Sequence, residues 1–215
     1  VYKRQGLGER HPHTLTTMDN LAVTLHAQGK YDKAAAMQRK AQVARRGEVS
    51  DEESDERDLK DPVTLLSMHN LAGALYEQGK YEEAEAMMRE VLEARREVIG
   101  EDHPHALGTM DNLAGALRAQ SKYKEAEARI REVLEARREM LGDRHPSILI
   151  AMNNLAGVNR QLGRWNEAEE MAREAVDGFC EVLGEHHPTT LAGMQSLANA
   201  LRAQGKHNKA EAMMR

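Results

Sequence analysis

All five prolines of this 215-residue chain follow a histidine or an aspartate: His11-Pro12, Asp61-Pro62, His103-Pro104, His145-Pro146 and His187-Pro188. Successive prolines are separated by 50, 42, 42 and 42 residues. A fixed period of this length describes stacked copies of one supersecondary unit, each too small to bury its apolar face alone. The first interval is longer because an acidic stretch, "GEVSDEESDERDLKD" (Gly47–Asp61), is inserted there. Its eight acids and two bases give a net of −6, so the chain's −5 is local and the remainder sums to +1. That balance leaves no basic footprint for nucleic acid and no polybasic membrane surface.

Each unit reads as two helices. Proline fits the first helical position, where its missing N–H costs nothing, and the histidine or aspartate before it is placed to cap. In the third unit Leu107, Met110, Leu113, Ala114 and Leu117 then follow as one apolar stripe. Met18, Met68, Met110, Met152 and Met194 fall on this stripe and are expected in the core. Gly29, Gly79, Gly163 and Gly205 stand where a C′ glycine ends a helix, with Ser121 the exception. The second helix begins at once. "KYEEAEAMMREVLEARREVIG" (Lys80–Gly100) sets Tyr81, Ala84, Met88, Val91 and Leu92 on one face. Its outer face pairs Glu85 with Arg89, as Glu127 pairs with Arg131 one unit on. Charged residues at 30% and aromatics at 3% agree with helices and disfavour a sandwich or barrel. The predicted units are 11–60, 61–102, 103–144, 145–186 and 187–215, the last without the end of its second helix.

The stretch "NLAGALYEQGKYEEAEAM" (Asn70–Met87) resembles the tetratricopeptide repeat, with Leu71, Ala72, Leu75, Gly79, Tyr81 and Ala84 in the motif's places. That motif's usual period is about 34 residues. A 42-residue unit with "IGEDHP"-type joints and "NNLA" is similar to the kinesin light chain subclass. The same subclass occurs in nephrocystin-3-like proteins and in nucleotide-binding immune-type receptors. The resemblance implies an all-α, right-handed superhelical solenoid of helix-turn-helix repeats over residues 6–215. It also implies a protein-protein interaction module that holds an extended peptide in its concave groove, as in cargo or adaptor binding. Kinesin heavy chain or cargo adaptors would then be partners through the parent protein. The alternative is a sensor or scaffold segment of a larger nucleotide-binding receptor-type signalling protein. The fourth unit departs from the pattern, with Trp165 for tyrosine and "DGFC" (Asp177–Cys180) where others run "EARR" or "VARR".

Chemistry at a site is not expected. Zinc needs ligands converging at about 2.0–2.1 Å, and histidines in successive units are separated by helix-packing distances of about 8–10 Å. His11, His13, His103, His105, His186 and His187 are therefore read as helix-start residues rather than ligands. Cys180 lies beside Phe179 and Val182 and reads as a small packing residue. The glycines terminate helices and form no phosphate loop. The expectation is no enzyme, no metal and no cofactor. A single cysteine and no apolar run of about 20 residues suggest a cytoplasmic protein without membrane contact. Val1–Gln5, "VYKRQ", can be encoded by a transposase end sequence and is read as a sequencing scar or the tail of a preceding helix. Asp51–Lys60, nearly all charged, is expected to be a flexible loop.

Function should reside in the letters that change between units. On the first helices, opposite the Leu/Met stripe, one row is Asp19, His69, Asp111, Asn153 and Gln195. Beside it stand Asn20, Asn70, Asn112 and Asn154, amides able to hold a peptide main chain in any sequence context. One or two turns on come His26, Tyr76, Arg118, Arg160 and Arg202. The arginines could fork onto acidic side chains or a C-terminal carboxylate. An acidic extended peptide is the expected partner.

Overall fold

The computed structural model describes Gly8, residues 11–46 and residues 60–213. The scar expected at Val1–Gln5 lies outside these residues. So does the loop expected at Asp51–Lys60, apart from Lys60, whose Nζ pairs with Glu97 Oε2 at 2.9 Å. Among the described residues there are ten helices: α1 (Pro12–Ala27), α2 (Tyr31–Arg46), α3 (Pro62–Glu77), α4 (Tyr81–Ile99) and α5 (Pro104–Ala119), then α6 (Tyr123–Leu141), α7 (Pro146–Gln161), α8 (Trp165–Leu183), α9 (Pro188–Ala203) and α10 (His207–Met213). The fold is all-α and consists of helix-turn-helix repeats.

The histidines before proline do what their position predicts. Nδ1 of His11, His103, His145 and His187 accepts the backbone N–H two residues on, at 3.2, 3.1, 3.3 and 3.2 Å. Asp61 accepts from Thr64 N at 2.9 Å. Each cap satisfies an N–H that has no partner within its own helix.

The turn inside each unit is a Schellman closure. Lys30, Lys80, Lys122, Arg164 and Lys206 donate their N–H to the carbonyls of Leu25, Leu75, Leu117, Asn159 and Leu201 at 2.9 to 3.0 Å. The same residue's carbonyl accepts the first bond of the following helix, as in Ala84 N to Lys80 O at 3.0 Å. This closure requires a left-handed residue just before it. Gly79 supplies φ +77 without strain, whereas Ser121 adopts φ 60 as the one described non-glycine residue at positive φ.

The chain divides into two compact units, Val1–Ala116 and Leu117–Arg215, with the division inside α5. In the first, α1 packs on α2, α2 on α3, and α3 on α4. Leu15, Met18 and Ala41 form one apolar cluster and Leu65, Met68 and Val91 another. In the second, α6 packs on α7, α7 on α8, α8 on α9, and α9 on α10. Its core gathers Ala156, Ala172, Val176, Leu197, Ala198, Leu201 and Ala210. The stripe methionines are buried as expected, with Met194 only partly so.

Two contacts explain the departure of the fourth unit. Phe179, where the second and third units have Arg95 and Arg137, is 1% exposed. A Cβ on Gly193 would meet its ring at 3.2 Å, so the missing side chain makes room for the phenyl. A Cβ on Gly178 would lie 2.5 Å from Leu149 Cδ2, a separation real atoms do not adopt. Glycine at 178 is what allows α7 and α8 to approach.

The outer faces are laced with ion pairs. Arg164 Nη1 and Arg131 Nη2 reach Glu127 Oε1 at 2.6 and 2.9 Å. One unit later Lys206 Nζ and Arg173 Nη2 reach Glu169 at 2.7 and 2.9 Å. Gln204 Nε2 adds a bond to Glu169 Oε2 at 2.9 Å. These carboxylates clip one second helix to the turn that opens the next.

Candidate functional site

The apolar stripe of each first helix is buried against its neighbours, which leaves a polar strip of side chains between the stripe positions. In the first compact unit this strip runs along α1, α3 and α5. Asp19 is half-buried and accepts at Oδ1 from Ser67 Oγ of α3 at 2.8 Å. Asn20 is exposed, Asn70 and Asp111 are half-buried, and Asn112 is exposed. The rings of His26 and Tyr31 meet edge-on at 5.1 Å, and those of Tyr76 and Tyr81 lie 5.3 Å apart.

His69 occupies the centre of a polar junction. Arg95 of α4, only 5% exposed, lies with Nη1 at 3.4 Å from His69 Nδ1. The same Nη1 donates to the His105 carbonyl at 2.9 Å and to Thr109 Oγ1 at 2.6 Å. On the far side of the ring, His69 Nε2 and Asn112 Nδ2 are 3.1 Å apart. Burial, then the charge of Arg95 and the proximity of His105, hold the His69 imidazole down to about 4, so it is neutral at pH 7. Burial also lowers the guanidinium of Arg95 from its ordinary value.

Beside this junction is a pocket of about 220 Å³ walled by His26, Gln38, His69, Asn70, Gly73 and Asn112, with Val23 at its rim. Four of these are residues singled out from the sequence, now brought together from α1, α3 and α5. Gln38 of α2 is 2% exposed, and its Oε1 has no hydrogen-bond partner among the described residues.

In the second compact unit Arg118 Nη1 donates to Asn154 Oδ1 at 3.3 Å, joining two predicted site residues from successive first helices. Arg202 Nη1 and Gln195 Nε2 both donate to Asn199 Oδ1, at 3.4 and 3.1 Å. Arg160 and Asn153 are half-buried, and Asn153 Oδ1 is enclosed without a partner among the described residues. Arg118 and Arg202 of this strip meet amide oxygens. On the second helices three arginines meet carboxylates: Arg89 with Glu85, Arg131 with Glu127, Arg173 with Glu169.

Three participants were not singled out from the sequence: Gln38, Arg95 and Asn199. Arg95 lies in "EARR", a run that repeats as if it were one solvated surface. The available signal was the replacement of that position by Phe179, which marks it as buried. Among the described residues no group of three or more His, Cys, Asp or Glu could hold a metal ion, and no helix is long and apolar enough to cross a membrane. Cys180 is half-buried and packs on the α8–α9 core. Burial, then Glu185 and Asp177, raise its thiol above the ordinary range, away from a reactive thiolate.

Sequence profiles described as tetratricopeptide repeat match residues 14–46, 63–139, 106–181 and 147–215. None of the curated proteins matches the sequence. Among solved structures, the nearly identical TPR-like repeats of a Podosopora anserina protein described as a kinesin light chain superpose with a TM-score of 0.78. The identity is 25%, over 95% of this chain and 92% of that one. BtubC (BKLC) from P. vanneervenii superposes with a TM-score of 0.74 at 20% identity, over 94% of this chain and 77% of that one. A Rap protein solved in complex with Competence and Sporulation Factor gives 0.69 at 18% identity, covering 97% of this chain and 52% of that one. These last two likenesses concern the fold alone.

Proposed function

The chain belongs to the tetratricopeptide repeat family, and from that premise we propose that it binds an extended, acidic segment of a partner protein along the polar strip of its first helices. The observation that supports this reading is the partnering of the arginines. Arg118 and Arg202 of the first helices are held by amide oxygens and Arg160 is half-buried on the same strip, while Arg89, Arg131 and Arg173 of the second helices pair with glutamates. The Arg118–Asn154 pair sets a guanidinium beside an amide, so a ligand carboxylate and a ligand main chain can be met a few ångströms apart.

The likeness to the Podosopora anserina repeats supports a kinesin light chain-like role, and cargo or adaptor segments as partners and the cytoplasm as the place of action belong to the same proposal. Tetratricopeptide arrays are interaction scaffolds, and neither the histidines nor Cys180 supply a catalytic constellation. Charge-assisted contacts at such partly exposed positions contribute roughly 0.5–2 kcal/mol each, so affinity is expected to be micromolar and salt-sensitive.

A peptide array read at low and high salt tests the reading. Acidic extended peptides should dominate at low salt and fade at high salt. Arg118→Ala together with Arg160→Ala should reduce binding about tenfold or more, the equivalent of losing one charge-assisted contact. Binding indifferent to peptide charge, or unchanged by the double substitution, sinks the proposal.

A further inference from the structure

Among the described residues the buried Arg95 makes no hydrogen bond to a carboxylate. The register of the repeats places Asp19 and Asp111 where the second unit has His69. Arg95 is consequently buried against a neutral imidazole, a carbonyl and a hydroxyl. A buried cation in that state creates a positive field that its surroundings do not cancel.

The donor-acceptor logic of the junction shows where the field emerges. Arginine only donates, so Nδ1 of His69 is the acceptor and the ring proton sits on Nε2. That N–H requires an acceptor, and the group in reach is the Asn112 amide at 3.1 Å. In the structure Nδ2 is the amide atom facing Nε2; exchanging the amide's oxygen and nitrogen, as an Nε2–H requires, puts the carbonyl on the ring and the NH2 toward the pocket. The three groups then form a relay of donors from Arg95 through His69 to Asn112, each link polarising the next. Gln38 also borders the pocket, with its Oε1 enclosed and without a partner among the described residues. Gly73 also lines the pocket. A Cβ there would touch nothing within 4 Å, so no packing contact explains a glycine inside a helix, and a ligand backbone can come close.

We propose that this pocket is an anion subsite for one acidic residue of a bound peptide. Its carboxylate accepts from the Asn112 amide at the end of the Arg95–His69 relay. The volume of about 220 Å³ suits a single side chain rather than a longer segment. The inference rests on the peptide-binding reading above and adds a specific residue class to it.

The test uses the full chain and two capped single-residue probes, acetyl-glutamate amide and acetyl-glutamine amide, followed by nitrogen NMR of the Asn112 side chain and the His69 ring at pH 7. His69 should be the Nε2–H tautomer. The Asn112 NH2 signals should shift at about tenfold lower concentration of the acidic probe than of the amide probe, as a charge-assisted bond requires. His69→Asp supplies Arg95 with the acid found elsewhere in the register and should bring that ratio to about one, with the helical circular-dichroism signal intact. An Nδ1–H tautomer, an equal response to both probes, or a preference that survives His69→Asp would overturn the subsite. The tautomer and probe measurements need no variant, so they decide even if His69→Asp unfolds. If array peptides bind while Asn112 answers both probes alike, the subsite falls and the peptide reading stands. If no array peptide binds while Asn112 still selects the acidic probe, the subsite stands alone.

Discussion

Adding one methyl group at Gly178 should destabilise the protein, although the change replaces the poorest helix former but proline with the best. An ideal Cβ at this position would lie 2.5 Å from Leu149 Cδ2, 2.9 Å from Cδ1 and 3.3 Å from Cγ, against 3.4–4 Å in ordinary contact. The Leu149 side chain must therefore retreat by about 1 Å, and at 1% exposure it has no solvent to retreat into. Overpacking of this kind costs about 1–3 kcal/mol. Helix propensity returns about 1 kcal/mol on exchanging glycine for alanine. The net expectation for Gly178→Ala is a loss of about 1 kcal/mol, or roughly 2–4 °C in the thermal midpoint for a chain of this size. Shortening the obstacle reverses the sign. In a Leu149→Ala background the clash is gone, and Gly178→Ala should stabilise by about 1 kcal/mol, a coupling of about 2 kcal/mol in the double-mutant cycle. Thermal and urea unfolding of the four proteins measure it. A neutral or stabilising effect in the parent protein would show that Leu149 swings aside freely, and the account of α7–α8 approach would be wrong.

Ser121→Gly should raise stability by about 0.5–1 kcal/mol, because it relieves a left-handed serine at φ 60; a lower thermal midpoint would contradict the Schellman geometry. Stability should fall in two limbs as pH drops. His69 is held at about 4, below its value in the unfolded chain, so the unfolded state takes up the extra proton and stability is lost between about pH 6.5 and 4, by roughly 2–3 kcal/mol at most. Lys206 above all, with Arg173 and Gln204, outweighs burial and holds Glu169 at about 2, so its contribution is present above about pH 4.5 and lost toward 2. Screening at the half-exposed Lys206 and Arg173 reduces that limb to about 1 kcal/mol. His69→Gln should flatten only the upper limb and Glu169→Gln only the lower one in pH-dependent thermal unfolding; unchanged limbs would reject the assignments. Removing one cap with His187→Ala should cost about 1 kcal/mol of helix stability, read as a lower unfolding midpoint.

The parts of the fold legible in the sequence are those governed by neighbours along the chain. A proline, a capping residue before it, a glycine 17 residues after it and an apolar stripe between them specify a first helix without reference to any other element. The histidine caps were legible for the same reason, since Nδ1 and the N–H it accepts are two residues apart. The site was legible only as a strip. Asp19 and His69 share a row in the sequence, yet one is bonded to Ser67 of the next first helix and the other is wedged against a second-helix arginine. Which member of a row is used internally depends on helices 26 to 48 residues distant, and no periodicity carries that information. Gln38 and Arg95 sit in charged or polar runs of second helices, where burial comes from packing rather than from pattern, and the one cue to Arg95 was Phe179 at its place in the register.

The two kinds of joint in the repeat also differ in what they tolerate. Inside a unit, Gln78, Gly79 and Lys80 are all engaged, with Lys80 closing one helix through its N–H and opening the next through its carbonyl. There is no slack residue, so a single added amino acid would break the closure and turn the second helix about its axis. Between units the chain runs from Gly142 to His145 and from Gly184 to His187 before a fresh cap begins the next helix. The one long insertion in the sequence, Gly47–Asp61, falls at a joint of this second kind and ends on the capping aspartate itself. For anyone splicing an epitope, a reporter or an extra repeat into this chain, the usable seams are therefore the four His-Pro and Asp-Pro boundaries that follow a second helix, and the grafted piece should end on its own cap.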